Sequence, residues 1–199
     1  MNSLRFLCAI LIQVLISSHA IAQQETNLAP PGYIYVTGWY KDSGIQRDYN
    51  RAVIPVLKKY GYETSFLGLE GLNLRVLEGD WVPGRIMLIK FPSEEDAKRF
   101  WWSDEYQEVA KIRAPISAVD IAQVDGVPGV SPLMNKETAY LVFLSKIEDL
   151  KTIQEQYSAQ ARTLIKKYGG QFIVTATRAN TELLEGSLPN ATVVFVEFP

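Results

Sequence analysis

The residues best placed to do chemistry lie on runs that alternate like β-strands. In the run 33–40 (YIYVTGWY), aromatic and part-polar side chains alternate with smaller or aliphatic ones. Successive side chains of a strand point to opposite faces, so one face carries Tyr33, Tyr35, Thr37 and Trp39. We expect this face to line a space between two sheets, where an apolar ligand could stack. The alternative is that these residues are core and rim aromatics, since tyrosine and tryptophan are common in strands.

A second candidate is a pair of opposite charges at equivalent places in two other strand-like runs. Lys90 shares a face with the aliphatic residues of the run 85–91, and Glu197 shares a face with Val193 and Phe195. An ionisable group on an apolar strand face costs free energy unless it is paired. We therefore predict that Lys90 and Glu197 form an ion pair between sheets or line a common cavity. The alternative is that each charge lies at an exposed strand edge or end.

Two arginines could bind a carboxylate or a phosphate through their guanidinium groups, Arg85 and Arg113. The candidate pocket therefore contains Tyr35, Trp39, Arg85, Lys90 and Glu197. If the protein is an enzyme, the candidate proton handlers are Tyr35, Lys90 and Glu197. The sequence assigns no catalytic residue.

Chemistry that needs cysteine or histidine is excluded from most of the chain. Among 199 residues there are one cysteine and one histidine, Cys8 and His19, and both lie near the N-terminus. The remainder has no thiol nucleophile, no imidazole base, and no metal or haem site built on these ligands. We therefore expect no metal and no cofactor. The formal net charge of −2 predicts no broad basic face for nucleic acid or an anionic membrane.

Residues 1–22 have the features of a cleavable signal peptide in the usual order. Arg5 precedes the apolar run 6–16, and Ala20-Ile21-Ala22 fits the small-x-small pattern of a signal peptidase site. The run is shorter than the roughly 20 apolar residues that cross a bilayer. The alternative is a buried N-terminal helix. We predict cleavage after about Ala22, a secreted or periplasmic location, and no stable membrane anchor.

The rest of the chain contains one unit twice. Motifs recur 107 or 108 residues apart: Lys58-Lys59-Tyr60-Gly61 as Lys166-Lys167-Tyr168-Gly169, Leu77-Glu78-Gly79 as Leu184-Glu185-Gly186, and Phe91-Pro92 as Phe198-Pro199. Such recurrence indicates an internal duplication. Strand-like and helical runs follow the order β-α-β-β-α-β, which is typical of a ferredoxin-like domain. The predicted organisation is a flexible lead-in (23–32), a first repeat (33–126), a linker (127–138) and a second repeat (139–199).

The motifs of the first repeat resemble domain-of-unknown-function family 1330. They are Leu77-Glu78-Gly79-Asp80-Trp81, Pro83-Gly84-Arg85, Phe91-Pro92-Ser93, the run 101–107, Arg113 and Val124-Asp125-Gly126. The resemblance covers 33–126 as a full copy and 139–199 as a partial one. Two residues depart from the family pattern, Asp104 where proline is usual and Lys90 where an acid is usual.

The resemblance implies the fold of the dimeric α+β barrel superfamily. There, two four-stranded antiparallel sheets pack face to face, helices cover their outer faces, and a pocket lies between them. Two copies in one chain make this pairing intramolecular. The superfamily includes cofactor-free monooxygenases, lactone isomerases, haem-degrading enzymes and haem peroxidases, so the fold does not fix the chemistry. The haem branches generally depend on an axial histidine, which argues against them here.

The second repeat lacks the last helix and strand that 93–125 supply in the first. In the sheet order 4-1-3-2 that the family implies, strand four covers strand one. The run 139–145 (AYLVFLS) is therefore expected to have an open edge, through which the protein could self-associate. Two hypotheses follow: the sequence is a truncated gene product, or another chain supplies the missing strand.

Three functions are consistent with these residues. The first is an exported protein that binds a small molecule between its two sheets without metal or haem. The second is a cofactor-free enzyme, monooxygenase- or isomerase-like, acting on a small aromatic or lactone-like compound. The third is a structural or partner-binding module that acts through the open edge. A cavity of about 300 Å³ or more with converging polar groups favours the first two.

Overall fold

A computed structural model describes residues 29–79, 84–145, 152–187 and 192–199, to which the following account refers. The predicted signal peptide lies outside the described residues, as does most of the predicted lead-in. None of the helices that the structure describes is both long and apolar enough to cross a membrane.

The first repeat contains four strands and three helices in the predicted order. They are β1 (Gly32–Tyr40), α1 (Ser43–Lys59), β2 (Thr64–Leu69), β3 (Arg85–Phe91), α2 (Glu94–Trp101), α3 (Asp104–Arg113) and β4 (Ser117–Asp125). Each helix begins after a residue whose side chain accepts hydrogen bonds from main-chain N–H groups of the first turn: Asp42, Ser93 and Ser103. Pro55 lies inside α1, and the helix continues past it. Gly61, with φ of 84°, provides the left-handed residue that follows the helix.

The second repeat begins with β5 (Ala139–Ser145). A π-helical segment (Ile153–Ser158) then runs into α4 (Ala159–Lys167), followed by β6 (Gln171–Thr177), β7 (Thr181–Glu185) and β8 (Thr192–Phe198). The sequence did not predict β7, which lies between the second and third strands of this repeat.

The strands form two antiparallel sheets. The first has the order β2-β3-β1-β4-β7, and the second has the order β5-β8-β6. The predicted order 4-1-3-2 is thus confirmed within the first repeat, and the second repeat shows its 1-3-2 part. Because β7 pairs with β4, a strand of the second repeat extends the sheet of the first. Among the described strands, β5 pairs with β8 alone.

The sheets pack face to face through one shared apolar core, the inter-sheet core. Its buried residues come from both repeats and from the linker: Tyr33, Tyr35, Ile86, Leu88, Ala122, Val124, Met134, Ile173, Val174, Ala176, Val193 and Phe195. A second core lies between the other face of the first sheet and its helices, and it includes Ile34, Val36, Val53, Leu57 and Phe100. The alternation of the run 33–40 therefore separates the two cores as predicted. The fold is a dimeric α+β barrel made within one chain.

Candidate functional site

Three of the five predicted pocket residues project between the sheets, Tyr35, Lys90 and Glu197, and the other two do not converge with them. On β3, Arg85 lies opposite Gly38 of β1, on the helix-facing side, while Lys90 lies opposite Tyr33 on the other side. The Arg85 guanidinium stacks over the Tyr40 ring at 4.1 Å from its centroid. The five residues therefore do not form one pocket.

Trp39 is a rim residue. Its side chain is 50% exposed at the end of β1. The indole ring lies against Gly84 so closely that a Cβ at that position would sit 2.5 Å from it. Trp39 thus packs on a neighbouring backbone, in agreement with the core-and-rim alternative for these aromatics.

Tyr35 packs as a core side chain between the sheets. It is 1% exposed, and its ring meets Phe195 of β8 edge to face at 5.9 Å. Burial raises the pKa of the Tyr35 phenol well above its ordinary value. The hydroxyl therefore stays protonated at neutral pH, and Tyr35 does not serve as a base there.

Lys90 has its own partner at the edge of the first sheet. Its Nζ lies 2.6 Å from a carboxylate oxygen of Glu63, the residue that precedes β2. The Lys90 side chain is 18% exposed and that of Glu63 is 40% exposed. Since water screens a pair in this position, its contribution to stability is below about 1 kcal/mol.

Glu197 is a fully buried carboxylate with four hydrogen-bond donors. The main-chain N–H groups of Leu133 and Met134 donate to it at 2.9 and 2.8 Å, Gln171 Nε2 at 2.8 Å and the Tyr140 hydroxyl at 3.2 Å. Each carboxylate oxygen accepts two of these bonds, so the charge is satisfied without a cation. The predicted ion pair between Lys90 and Glu197 is not formed.

The linker supplies two of the four donors to Glu197 because it folds back over this end of the inter-sheet core. Met134 is buried in that core and has a φ of 41°, an uncommon value for a residue other than glycine. Its carbonyl accepts a hydrogen bond from Thr64 Oγ1 at 3.3 Å, while its N–H binds Glu197. The bonds to Glu197 thus hold a strained turn in place.

Tyr33 occupies the position in β1 that Tyr140 occupies in β5, but its hydroxyl has no partner. Tyr33 is fully buried, and among the described residues no group hydrogen-bonds its hydroxyl. Burial, together with the negative charges of Glu197 and Glu63, raises the pKa of Tyr33 far above its ordinary value. The group is therefore a neutral, unused hydrogen-bond donor. Leaving such a group unpaired costs about 1–3 kcal/mol.

These residues form what we call the polar end of the inter-sheet core: Tyr33, Glu63, Lys90, Tyr140 and Glu197. Sequence reasoning found Lys90 and Glu197 but missed the roles of Tyr33, Tyr140 and Glu63. The equivalence of Tyr33 and Tyr140 in the duplication was the available signal. Chemically, the cluster offers hydrogen-bond donors to a ligand oxygen, while its carboxylates already have partners.

A second ionic cluster lies on the helix-facing side of the first sheet. Arg113, at the end of α3, is almost fully buried and donates to both carboxylate oxygens of Glu185 at 2.8 and 2.6 Å. It also donates to the Tyr106 hydroxyl at 3.1 Å. Burial by itself lowers the pKa of Arg113, but the bonds to Glu185 and the nearby tyrosines outweigh it and raise that pKa. The carboxylate that Arg113 binds is therefore Glu185 on β7 of the same chain, and the pair fastens the second repeat to the first.

The fold and these two clusters define a class of protein: an α+β barrel built from two related halves of one chain. The chain belongs to the family described as "Domain of unknown function (DUF1330)", whose sequence profile matches residues 31–127 and 138–199. The two matched segments agree with the duplication.

Solved structures give only weak likenesses. A protein of unknown function from Rhodopseudomonas palustris is 15% identical, with 57% of this chain and 94% of that chain covered and a TM-score of 0.41. An anthrone oxidase-like protein is 12% identical, with 86% of this chain and 73% of that chain covered and a TM-score of 0.46. The comparison with curated proteins finds no match.

Proposed function

We propose that the protein binds a small molecule at the polar end of the inter-sheet core. The observation that carries this proposal is the buried hydroxyl of Tyr33, which has no partner among the described residues. Buried polar groups in proteins almost always have a hydrogen-bond partner. A buried donor that has none and lies beside charged groups is therefore suited to bind a ligand oxygen. Glu63 and Lys90 are partly exposed, so this end of the core lies next to solvent.

The charges of the polar end favour a neutral ligand. Lys90 and Glu63 compensate each other, and Glu197 leaves one further negative charge nearby. An anionic ligand would be repelled by that charge. The rings of Phe66 and Tyr140, whose centroids are 4.3 Å apart, pack against the same core as Tyr33 and provide an apolar surface there. We therefore propose a small aromatic or lactone-like compound with a carbonyl or hydroxyl oxygen that accepts from Tyr33.

Binding fits the residues better than catalysis does. Tyr35 is packed in the core, and Glu197 already accepts four hydrogen bonds, so neither is free to move a proton. Lys90 is held by Glu63. The proposal therefore assigns a binding role and names no general base.

The test uses coumarin as a neutral aromatic lactone and benzoate as an anionic control. The protein should bind coumarin and not benzoate, as measured by isothermal titration calorimetry. The Tyr33→Phe variant should bind coumarin about tenfold more weakly, which is the expected effect of losing one hydrogen bond to the ligand. Without ligand, Tyr33→Phe should be as stable as the parent or more stable, because it removes an unpaired hydroxyl.

Tyr140→Phe is the matched control, since it removes the equivalent hydroxyl from a position where it donates to Glu197. It should lower the free energy of unfolding by about 1–2 kcal/mol. If coumarin does not bind at millimolar concentration, or if Tyr33→Phe destabilises the protein and leaves binding unchanged, the proposal is wrong.

We also propose that the protein is exported, on the basis of the sequence features of residues 1–22. The test is the N-terminal sequence of the protein recovered from cell fractions. A chain that begins near Gln23 in the periplasm or medium supports export. A chain that retains Met1 in the cytosol would contradict it.

A further inference from the structure

The first strands of the two repeats differ in how many neighbours they have. In the first repeat β1 lies between β3 and β4, whereas β5 pairs with β8 alone among the described strands. The residues of β5 (AYLVFLS) include no charge and no proline. Natural edge strands are usually protected by such residues, so β5 presents an edge suited to a further strand.

The helix next to this edge is uncovered as well. In the first repeat α3 packs against α1, and α1 buries Val53 and Leu57. The counterpart of α1 in the second repeat is α4. This helix buries none of its residues, and its Leu164 is 56% exposed. The open edge of β5 and the bare face of α4 are therefore the two surfaces that β4 and α3 cover in the first repeat.

A third observation concerns charge. In the first repeat Arg113, just before β4, pairs with Glu185 of β7, the strand on the other side of β4. The duplication places Glu78 at the position equivalent to Glu185. Glu78 is exposed, and no residue that the structure describes forms a hydrogen bond or ion pair with its side chain. The first repeat thus carries an acid, Glu78, that has no arginine partner among the described residues.

We propose that the edge of β5 and the face of α4 receive a helix–strand segment from a second polypeptide. The segment has a helix that ends in an arginine, which pairs with Glu78, and a strand of small apolar residues, which pairs with β5. Residues 104–125 of this chain are the template for that chemistry. A second copy of the protein pairing β5 with β5 would cover the edge, but it would leave the face of α4 and Glu78 without partners. The inference is independent of the proposed ligand.

The experiment uses the whole protein and a fluorescent synthetic peptide of residues 103–126, because this segment already fits the equivalent place in the first repeat. Fluorescence anisotropy should show saturable binding, and a scrambled peptide should not bind. Amide hydrogen exchange should slow at 139–145. Protection that changes at 32–40 instead would mean that the peptide replaces β4, and this result overturns the proposal.

The charge pair gives the sharper measurement. Glu78→Gln in the protein should weaken peptide binding about tenfold, and Arg113→Gln in the peptide should weaken it equally. The two changes together should cost little more than either alone, since both remove one interaction. Glu137→Gln is the control, because Glu137 is an exposed linker acid on no strand, and it should not change binding.

A variant of the edge itself completes the design. Phe143 lies on β5 and is 37% exposed, so Phe143→Lys should leave the protein folded while a charge opposes strand addition. It should weaken peptide binding at least tenfold. Absence of saturable peptide binding overturns the proposal. So does a concentration-dependent dimer of the protein alone with protected amides at 139–145, which would make a second copy the occupant.

Discussion

The two repeats use the same local sequence signals and reach very different degrees of burial. Helices α1 and α4 both end in the motif KKYG, and their C-terminal caps Tyr60 and Tyr168 have nearly the same φ and ψ, −94° and 17° against −96° and 17°. Residues 32–37 of β1 are all buried, whereas no residue of β5 is fully buried. Local structure is therefore set by local sequence, but burial depends on the helix–strand pair α3 and β4.

This comparison also explains why the charged groups of the repeats differ. The first repeat has an ordinary, half-exposed ion pair between Lys90 and Glu63. The second has a buried carboxylate, Glu197, which the linker encloses with main-chain donors. The linker thus covers one end of the second sheet, whereas the surfaces that α3 and β4 cover in the first repeat have no such cover among the described residues of the second.

Alkaline pH should destabilise the protein mainly through tyrosines of the first repeat. Burial raises the pKa of six tyrosines, of which only Tyr140 belongs to the second repeat: Tyr33, Tyr35, Tyr40, Tyr49, Tyr106 and Tyr140. The unfolded chain loses these protons above pH ~10 while the native protein keeps them, so stability is full below that pH and falls as pH rises. Each deeply buried phenol costs about 1.4 kcal/mol per pH unit, and several act together.

Urea denaturation at pH 9, 10 and 11 measures this loss, and phenolate absorbance at 295 nm reports ionisation. We expect the six phenols to ionise only as the protein unfolds. Ionisation of all tyrosines near pH 10 with the fold intact would contradict the burial of the first repeat.

The buried carboxylate gives the next largest effect. Each carboxylate oxygen of Glu197 accepts hydrogen bonds from two donors. In Glu197→Gln the amide NH₂ group replaces one of these oxygens, and in either orientation of the amide it faces two donors. The free energy of unfolding should therefore fall by about 3 kcal/mol. Lys90→Gln, at the equivalent place of the first repeat, should cost less than about 1 kcal/mol because that ion pair is partly exposed. Chemical denaturation of both variants measures the difference. Equal losses would show that the two positions are equivalent after all.

The helices provide a third comparison. Leu57→Ala in α1 should cost about 2–3 kcal/mol, since Leu57 is buried. Its counterpart in α4 is Ile165, which is only partly buried, and Ile165→Ala should cost about 1 kcal/mol or less. Thermal unfolding of the two variants is sufficient to rank them. A cost for Ile165→Ala as large as that for Leu57→Ala would mean that α4 is covered in solution.

The smallest of these effects concerns the two equivalent acids. Glu185→Gln removes the carboxylate from buried Arg113 and should cost about 2 kcal/mol, less than for a fully buried pair because Glu185 is partly exposed. Glu78→Gln should change the stability of the isolated protein by less than about 0.5 kcal/mol, as surface substitutions usually do. Urea denaturation at neutral pH measures both. A large effect of Glu78→Gln would reveal a partner for that acid within the chain.

Much of the fold could be predicted because the sequence contains the same structural unit twice. The alternation of 33–40 predicted the facing of β1, and the offset motifs predicted the duplication. These two features depend on periodicity and repetition, which are visible in one sequence. The sheet order of the first repeat, and with it the open edge of β5, was implied by the resemblance to the family.

The polar end and β7 could not be predicted, for a physical reason. Two of the four donors to Glu197 are main-chain N–H groups, those of Leu133 and Met134, and every residue except proline carries such a group. No side-chain pattern marks them. Strand β7 forms because β4 has a free edge to pair with, a property of the folded first repeat rather than of residues 181–185.

Strand β7 also means that the two repeats cannot be separated as independent domains. Cutting the chain in the linker would leave β4 without its outer neighbour and Arg113 buried beside an empty position. A fragment of residues 29–126 alone should therefore expose the unpaired outer edge of β4 and aggregate through it. We therefore expect the two repeats to fold as a single cooperative unit, since the sheet of the first repeat includes a strand of the second.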